Sequence, residues 1–203
     1  KVFLFENVRA FLSTECTDLD GQNKTIREAI ELNLGGRYNI HFQVINFKDY
    51  GNPSSRTRTL VIGVRKDIQE ITPLDLFPQQ EKSVVIKQVI GDLQPLVSMG
   101  EISKQDIYHS FRPYDKRMIP WVENIKEGQS AFDNEDPARR PHRVVGGIVI
   151  QNKNKNSDKY SRCFWNKTGP CIHTRSDIFA SQSTIHPADN RVFSIRPCKR
   201  RRK

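Results

Sequence analysis

Apolar residues crowd positions 2–5 (VFLF), give way to Glu6-Asn7 and resume at Val8, a pattern that predicts a buried strand end closed by a carboxylate and an amide. Further on, TIREAIELNLGG keeps Ile26, Ala29, Ile30 and Leu34 in helical period. Thr25 and Glu28 stand at capping-box spacing before it, and Gly35-Gly36 predicts its stop. The segment YNIHFQVIN alternates Tyr38, Ile40, Phe42 and Val44 with Asn39, His41 and Gln43, the pattern of a half-buried strand. A turn over DYGNPSSR then leads into RTLVIGVRK, a strand with an apolar centre. Strand, helix, strand, turn and strand in that order point to part of an α/β sheet.

After Ile71-Thr72-Pro73 the character changes. SVVIKQVIGDL predicts a short helix ending near Gly91, and Pro95, Pro113, Pro120, Pro137 and Pro141 then break the chain into short pieces. RVVGGIVIQNKNKNSDKYSRCFW predicts a hairpin, two apolar or aromatic arms around a polar Asn/Lys loop. A second, smaller and irregular domain is therefore expected from about residue 95. No internal repeat is visible.

The length of 203 residues suffices for a core, and a low hydrophobic fraction of 36% reads as a soluble, polar chain. No apolar run approaches the roughly 18 residues of a span, and no leader pattern precedes Glu6. Cys16, Cys163, Cys171 and Cys198 are widely spaced and form no CxxC pair, which argues against a zinc site or disulfide framework and fits a reducing compartment. The Asn-x-Thr sequons at Asn23 and Asn166 read as chance in such a chain.

The formal charge of +10 is unevenly placed. Residues 1–67 hold ten Lys/Arg against eight Asp/Glu, whereas residues 137–175 hold nine Lys/Arg against Asp158 alone. The chain closes on KRRRK. Such concentration is the footprint of a polyanion partner, with a solvated surface and a free tail as the alternative.

Single motifs decide little. A Glu-Asn pair at a strand end serves a cap or turn as readily as catalysis, and Glu123-Asn124-Ile125 nearly repeats it. Arg56 and Arg58 alternate on an extended segment and so can face one cleft, or simply solvent. Taken together and in order, however, the strand with Glu6-Asn7-Val8, the helix, the next strand and DYGNPSSRTRTLVIGVR resemble the cytosine-5 DNA methyltransferases. Tyr50, Gly51, Pro53, Arg56 and Arg58 match the family's second motif, with Ser54 where its glutamine usually stands. The likeness continues through VIGDL (Val89–Leu93) and returns at CIHTRSDIFASQSTIHPADNRVFSIR, which looks like the family's ninth motif.

The resemblance implies the C-terminal part of a Rossmann-like, S-adenosylmethionine-dependent methyltransferase sheet plus a small irregular, β-rich target-recognition domain. Its segments would be 1–94 (catalytic α/β domain), 95–171 (target recognition) and 172–203 (return to the catalytic domain, with a basic tail). It implies that Glu6 meets the N3 edge of a flipped cytosine, that Arg58 and Arg56 address its O2 edge or a phosphate, and that Asn7 braces the loop carrying the cysteine nucleophile. Phosphate contacts are expected from Arg139, Arg140, Arg143, Lys153, Lys155, Lys159 and Arg162, and base reading from Trp165, Arg175 and Gln182.

In the family the glycine loop for S-adenosylmethionine and the Pro-Cys nucleophile both precede Glu-Asn-Val, and five residues precede it here. Pro170-Cys171 lies beside the re-entry segment and reads as structural. The tail from Pro197 reads as a frameshift or truncation scar, or as a basic nucleic-acid tract. The expectation is a C-terminal fragment from a bacterial restriction–modification system, cytoplasmic, acting on double-stranded DNA, inactive alone, with no metal and no membrane partner. A recognition subunit complemented by an N-terminal half, or an inactive relic, are the alternatives.

Overall fold

A computed structural model describes residues 1–152, 159–171 and 184–193. The chain forms two compact units, Lys1–Val84 and Val85–Lys203.

The first unit is built on three strands: β1 (Val2–Val8), β4 (Tyr38–Asn46) and β6 (Thr57–Arg65), in the order β1-β6-β4. The central strand runs antiparallel to both neighbours. Its residues Thr59–Val64 are buried, as a strand covered on both faces requires, which is why TLVIGV reads as a continuous run and not as an alternation. Helix α1 (Ile26–Leu34) begins at the predicted capping box: Thr25 Oγ1 accepts from the Glu28 N–H, and the Thr25 N–H donates to the Glu28 carboxylate at 2.8 Å. The Gly35 N–H closes the helix onto the Glu31 carbonyl.

Two expectations are corrected here, and one element is added. Strand β1 does not end at Glu6-Asn7 but runs through them to Val8, and it is an exposed edge: Leu4 is 58% and Val8 53% accessible. In β4 the inward set shifts at the end of the strand, with Ile45 buried and Val44 exposed. The reason is that its polar-reading face is itself covered, His41 meeting the edge of Phe77 at 5.4 Å. Finally, β2 (Glu15–Thr17) and β3 (Asn23–Thr25) form an additional hairpin whose Asp20-Gly21 turn, with Gly21 at φ 76°, carried a readable signal. Lys24 occupies its centre, paired with Asp18 at 3.0 Å and with Asp20.

One glycine in the sheet is dictated by packing. Phe3 stacks on Phe5 with ring centroids 4.8 Å apart and lies across Gly63, its Cα partner on β6. A Cβ at Gly63 would sit 2.2 Å from the Phe3 ring.

After a two-residue strand β5 (Ser54–Ser55) and β6, the second unit opens with α2 (Ile86–Ile90), the short helix expected before Gly91. Its core gathers Met118, Trp121 and Val122, from the turn and short helix α3 (Ile119–Val122), with Ile125, Ala131, Tyr160 and Ile185. A hairpin forms within the first arm of the expected one, whose Asn/Lys loop lies outside the described residues. β7 (His142–Val145) pairs antiparallel with β8 (Ile148–Gln151), and the turn is Gly146-Gly147, at φ 58° and 79°. Two consecutive left-handed residues suit a two-residue hairpin turn and favour glycine, so the chain reverses at this pair. The polar loop at 153–158 lies outside the described residues. Downstream, β9 (Ser161–Arg162) pairs in parallel with β11 (Thr184–Ile185), and β10 (Gly169–Pro170) precedes Cys171. Among the described residues no helix is long and apolar enough to cross a membrane, and no cluster of three or more His, Cys, Asp or Glu has metal-binding geometry.

Candidate functional site

Register places the candidate catalytic side chains. On the β1–β6 pair, Glu6 lies opposite Leu60 and Val8 opposite Arg58. Glu6 and Arg58 are thus diagonal neighbours on one face, close enough for long side chains to meet. They do: Arg58 Nε stands 3.0 Å from Glu6 Oε1, and Arg58 Nη1 donates to the Thr57 carbonyl at 2.8 Å. The guanidinium side chain is 19% accessible and the carboxylate 41%, so the pair sits at a surface with its acidic partner facing outward.

Arg56 precedes β6, and its backbone carbonyl accepts from the Phe47 N–H at 3.0 Å. Its Nε is buried and has no hydrogen-bond partner among the described residues. A buried donor atom without an acceptor is costly. Asn7, next to Glu6 on the strand, points to the opposite face, where its Oδ1 accepts from the Val8 N–H at 2.8 Å.

Sequence reasoning missed Thr59. It is fully buried, and its hydroxyl lies 3.2 Å from the carbonyls of both Val8 and Arg9, holding the end of β1 to β6 just beyond the Glu6–Arg58 pair. The one available signal was a polar residue opening an apolar run. The turn preceding Arg56 has the expected form: Gly51 adopts φ 74°, and a Cβ there would come within 2.4 Å of the Glu81 carboxylate. The Asn52 side chain accepts from the Ser54 N–H at 2.9 Å.

The expected DNA contacts divide. Arg143 is exposed on β7, and Arg139 stands at the surface 3.8 Å from Asp136. Lys159 lies with its ammonium 5.1 Å from the Tyr160 ring centroid. Arg140 is committed internally, Nε donating to the Asn134 carbonyl at 2.7 Å and Nη2 to that of Glu135. Lys153, Lys155, Arg175 and Gln182 lie outside the described residues.

Arg162 is the clearest correction. Expected on a phosphate, it is 5% accessible and its donors are taken by the chain itself. Nε donates to the Ile125 carbonyl at 2.7 Å, Nη2 to Val122 at 2.8 Å and to Asn190 Oδ1 at 2.6 Å, and Nη1 to the His186 and Asp189 carbonyls. Burial lowers its pKa, and the converging carbonyls, among them those of Val122 at the last residue of α3 and Ile125 just beyond it, compensate the buried charge. Trp165, expected at a base, instead meets the edge of buried His186 at 5.2 Å. His186 Nδ1 accepts from the N–H groups of Ala188 and Asp189, which places the imidazole proton on Nε2. Burial, then the Arg191 charge, push its pKa down to about 4 against the pull of Asp189. Burial pushes the Cys163 thiol up to about 11, which removes it as a nucleophile near neutral pH.

A family model for C-5 cytosine-specific DNA methylase matches residues 1–201. Type II methyltransferase M1.HgaI of Avibacterium volantium is 30% identical over 201 residues, covering 95% of this chain and 52% of that protein. Type II methyltransferase M.XorII of Xanthomonas oryzae pv. oryzae is 29% identical over 220 residues, covering 98% of this chain and 49% of its own length. The chain thus spans about half the length of these relatives. A crystal structure described as that of a DNA modification methyltransferase encoded within an E. coli prophage aligns with TM-score 0.57 over 94% of this chain and 55% of that one; at 16% identity the likeness concerns the fold.

Proposed function

Since the chain belongs to the C-5 cytosine-specific DNA methylase family, we propose that it is the base-binding and target-recognition part of a DNA (cytosine-5)-methyltransferase of a bacterial restriction–modification system, working in the cytoplasm on double-stranded DNA. The observation that carries the proposal is the Glu6–Arg58 pair, two residues along the chain from Arg56, whose buried Nε has no hydrogen-bond partner among the described residues.

C5 of cytosine is weakly nucleophilic. Addition of a thiolate at C6 moves an electron pair into the ring toward N3 and O2, and C5 gains the character needed to take a methyl group. Glu6, as a protonated carboxyl, would donate its proton to N3 as that charge develops, while Arg58 keeps the carboxyl group in place and, with Arg56, donates toward O2 or an adjacent phosphate. Asn7 would brace the loop bearing the thiolate. The target base must leave the duplex to reach such groups.

S-adenosylmethionine would supply the methyl group. Two guanidiniums repel a sulfonium cation, so the group around Glu6 fits the base and not the cofactor, and no step here runs through it. The Rossmann-like character of the sheet, the assignment of 1–94 and 172–203 to the catalytic domain and of 95–171 to target recognition, and the supply of nucleophile and cofactor loop by an N-terminal half all belong to this proposal. The half-length match to the relatives equally suits a separate recognition subunit with a complementing partner.

The test is transfer of a labelled methyl group to duplex DNA by the chain alone and with a polypeptide carrying the upstream motifs. Transfer only in the mixture, abolished by Glu6→Gln, is expected. Transfer by the chain alone would refute the fragment reading, and undiminished transfer by Glu6→Gln would refute the role of the carboxylate.

A further inference from the structure

The β7–β8 hairpin has an unusual exposure. Cross-strand partners share a face and successive pairs alternate, so Val145 and Ile148 lie on one face and Val144 and Val149 on the other. All four are exposed: 54%, 69%, 49% and 55% in that order. A hairpin that packed on its own core would show one apolar face to solvent at most. Here both faces are apolar and open, and Gly146 and Gly147 at the tip have open space around them.

The base, by contrast, is fixed. His142 meets the buried Trp121 ring edge-on at 5.3 Å, and its Nδ1 lies 2.8 Å from the Arg140 carbonyl. Gln151 Nε2 donates to the Pro137 carbonyl at 2.9 Å, and the Asn152 N–H donates to that of Pro141. The result is an anchored ribbon with a bare apolar tip.

A flat partner or a second copy covers one face of a ribbon, whereas a groove covers two. The DNA major groove, about 12 Å wide, admits a two-stranded ribbon and displays the 5-methyl groups of thymine on its floor. Charge agrees with that occupant: neither strand of the ribbon carries a carboxylate, and Arg143 is exposed at its shoulder. Resting on the proposed DNA function, we propose that the β7–β8 hairpin is a major-groove probe: Val145, Ile148 and their neighbours read thymine methyl groups, and Arg143 takes a flanking phosphate.

The experiment selects duplexes from a randomised pool with the full chain, then replaces individual thymines of the enriched sequence by uracil, which removes only the methyl. For the wild type, one or more replacements should weaken binding about 4-fold each, the worth of one buried methyl. Ile148→Ser and Val145→Ser should erase that difference without changing the salt dependence, and Arg143→Ala should lower the salt slope by about one at every sequence. These positions are exposed, and unchanged thermal melting would show that the variants fold. The hairpin assignment is overturned if tip variants keep the uracil penalty, if no thymine carries one, or if the tip substitutions convert a dimer to a monomer in sedimentation. Failure of the wild type to bind any duplex would instead strike the DNA function and take this proposal with it.

Discussion

Glu6 and Arg58 meet diagonally across the β1–β6 pair, with Nε 3.0 Å from Oε1, and the carboxylate is the more exposed of the two. An ion pair so placed contributes at most about 1 kcal/mol to folding. Loss of stability and loss of activity therefore separate. Glu6→Gln is expected to lower methyl transfer by the complemented enzyme about 10²–10⁴-fold, in the range of a lost proton-transfer group, with little change in Tm. Arg58→Lys keeps the charge but not the planar set of donors, and its rate should fall between the two. Single-turnover rates beside melting curves check this; equal losses in both would make the pair a structural one.

Arg162 should behave in the opposite way. Removing its guanidinium leaves the buried carbonyls of Val122, Ile125 and His186, and the half-buried one of Asp189, without their donor. Arg162→Met is expected to cost about 3–5 kcal/mol in urea unfolding, and Arg162→Lys most of that, since one ammonium cannot span the same acceptors. Any weakening of DNA binding should track the unfolded fraction. A stable Arg162→Met protein with weakened binding would return the residue to the DNA surface.

The contrast between these two arginines shows what the sequence could reveal. Helix α1 and the bounds of β4 and β6 were legible because capping spacing and apolar runs are local. Glu6 and Arg58 were brought to one base by the family resemblance alone; their diagonal contact follows from a strand pairing that the sequence did not show. Arg162 looked like one more cation in a basic stretch, because its acceptors lie 24 to 40 positions away and converge only in three dimensions. Likewise the face of β4 depended on Phe77 covering His41, and the turn at Gly146-Gly147 was overlooked because the polar loop outweighed the glycine pair.

Gly63 offers a test of the sheet that supports the pair. Gly63→Ala puts a methyl into the Phe3 ring, and overpacking of this kind costs about 1–3 kcal/mol. Phe3→Leu, which removes the ring, should recover part of the loss. A double-mutant cycle by denaturant unfolding measures the coupling. Additive effects would mean that the ring does not lie on Gly63.

The last prediction concerns pH. His186 is buried against Trp165 and Phe193, its Nδ1 already accepting two backbone N–H groups, and its pKa is lowered to about 4 from an ordinary value of 6.5. His109, also buried, is shifted in the same direction, first by burial and then by Arg191. A histidine with a lowered folded-state pKa binds a proton more readily once unfolded. Its contribution to stability is therefore complete above about pH 6.5 and is lost progressively as pH falls toward about 4, below which both states are protonated and the slope vanishes. Melting temperature should fall over that window, and His186→Gln, which cannot titrate, should flatten the fall while lowering stability at neutral pH. If the variant retains the full wild-type slope between pH 6.5 and 4, other groups, with the carboxylates first among them, carry the acid sensitivity.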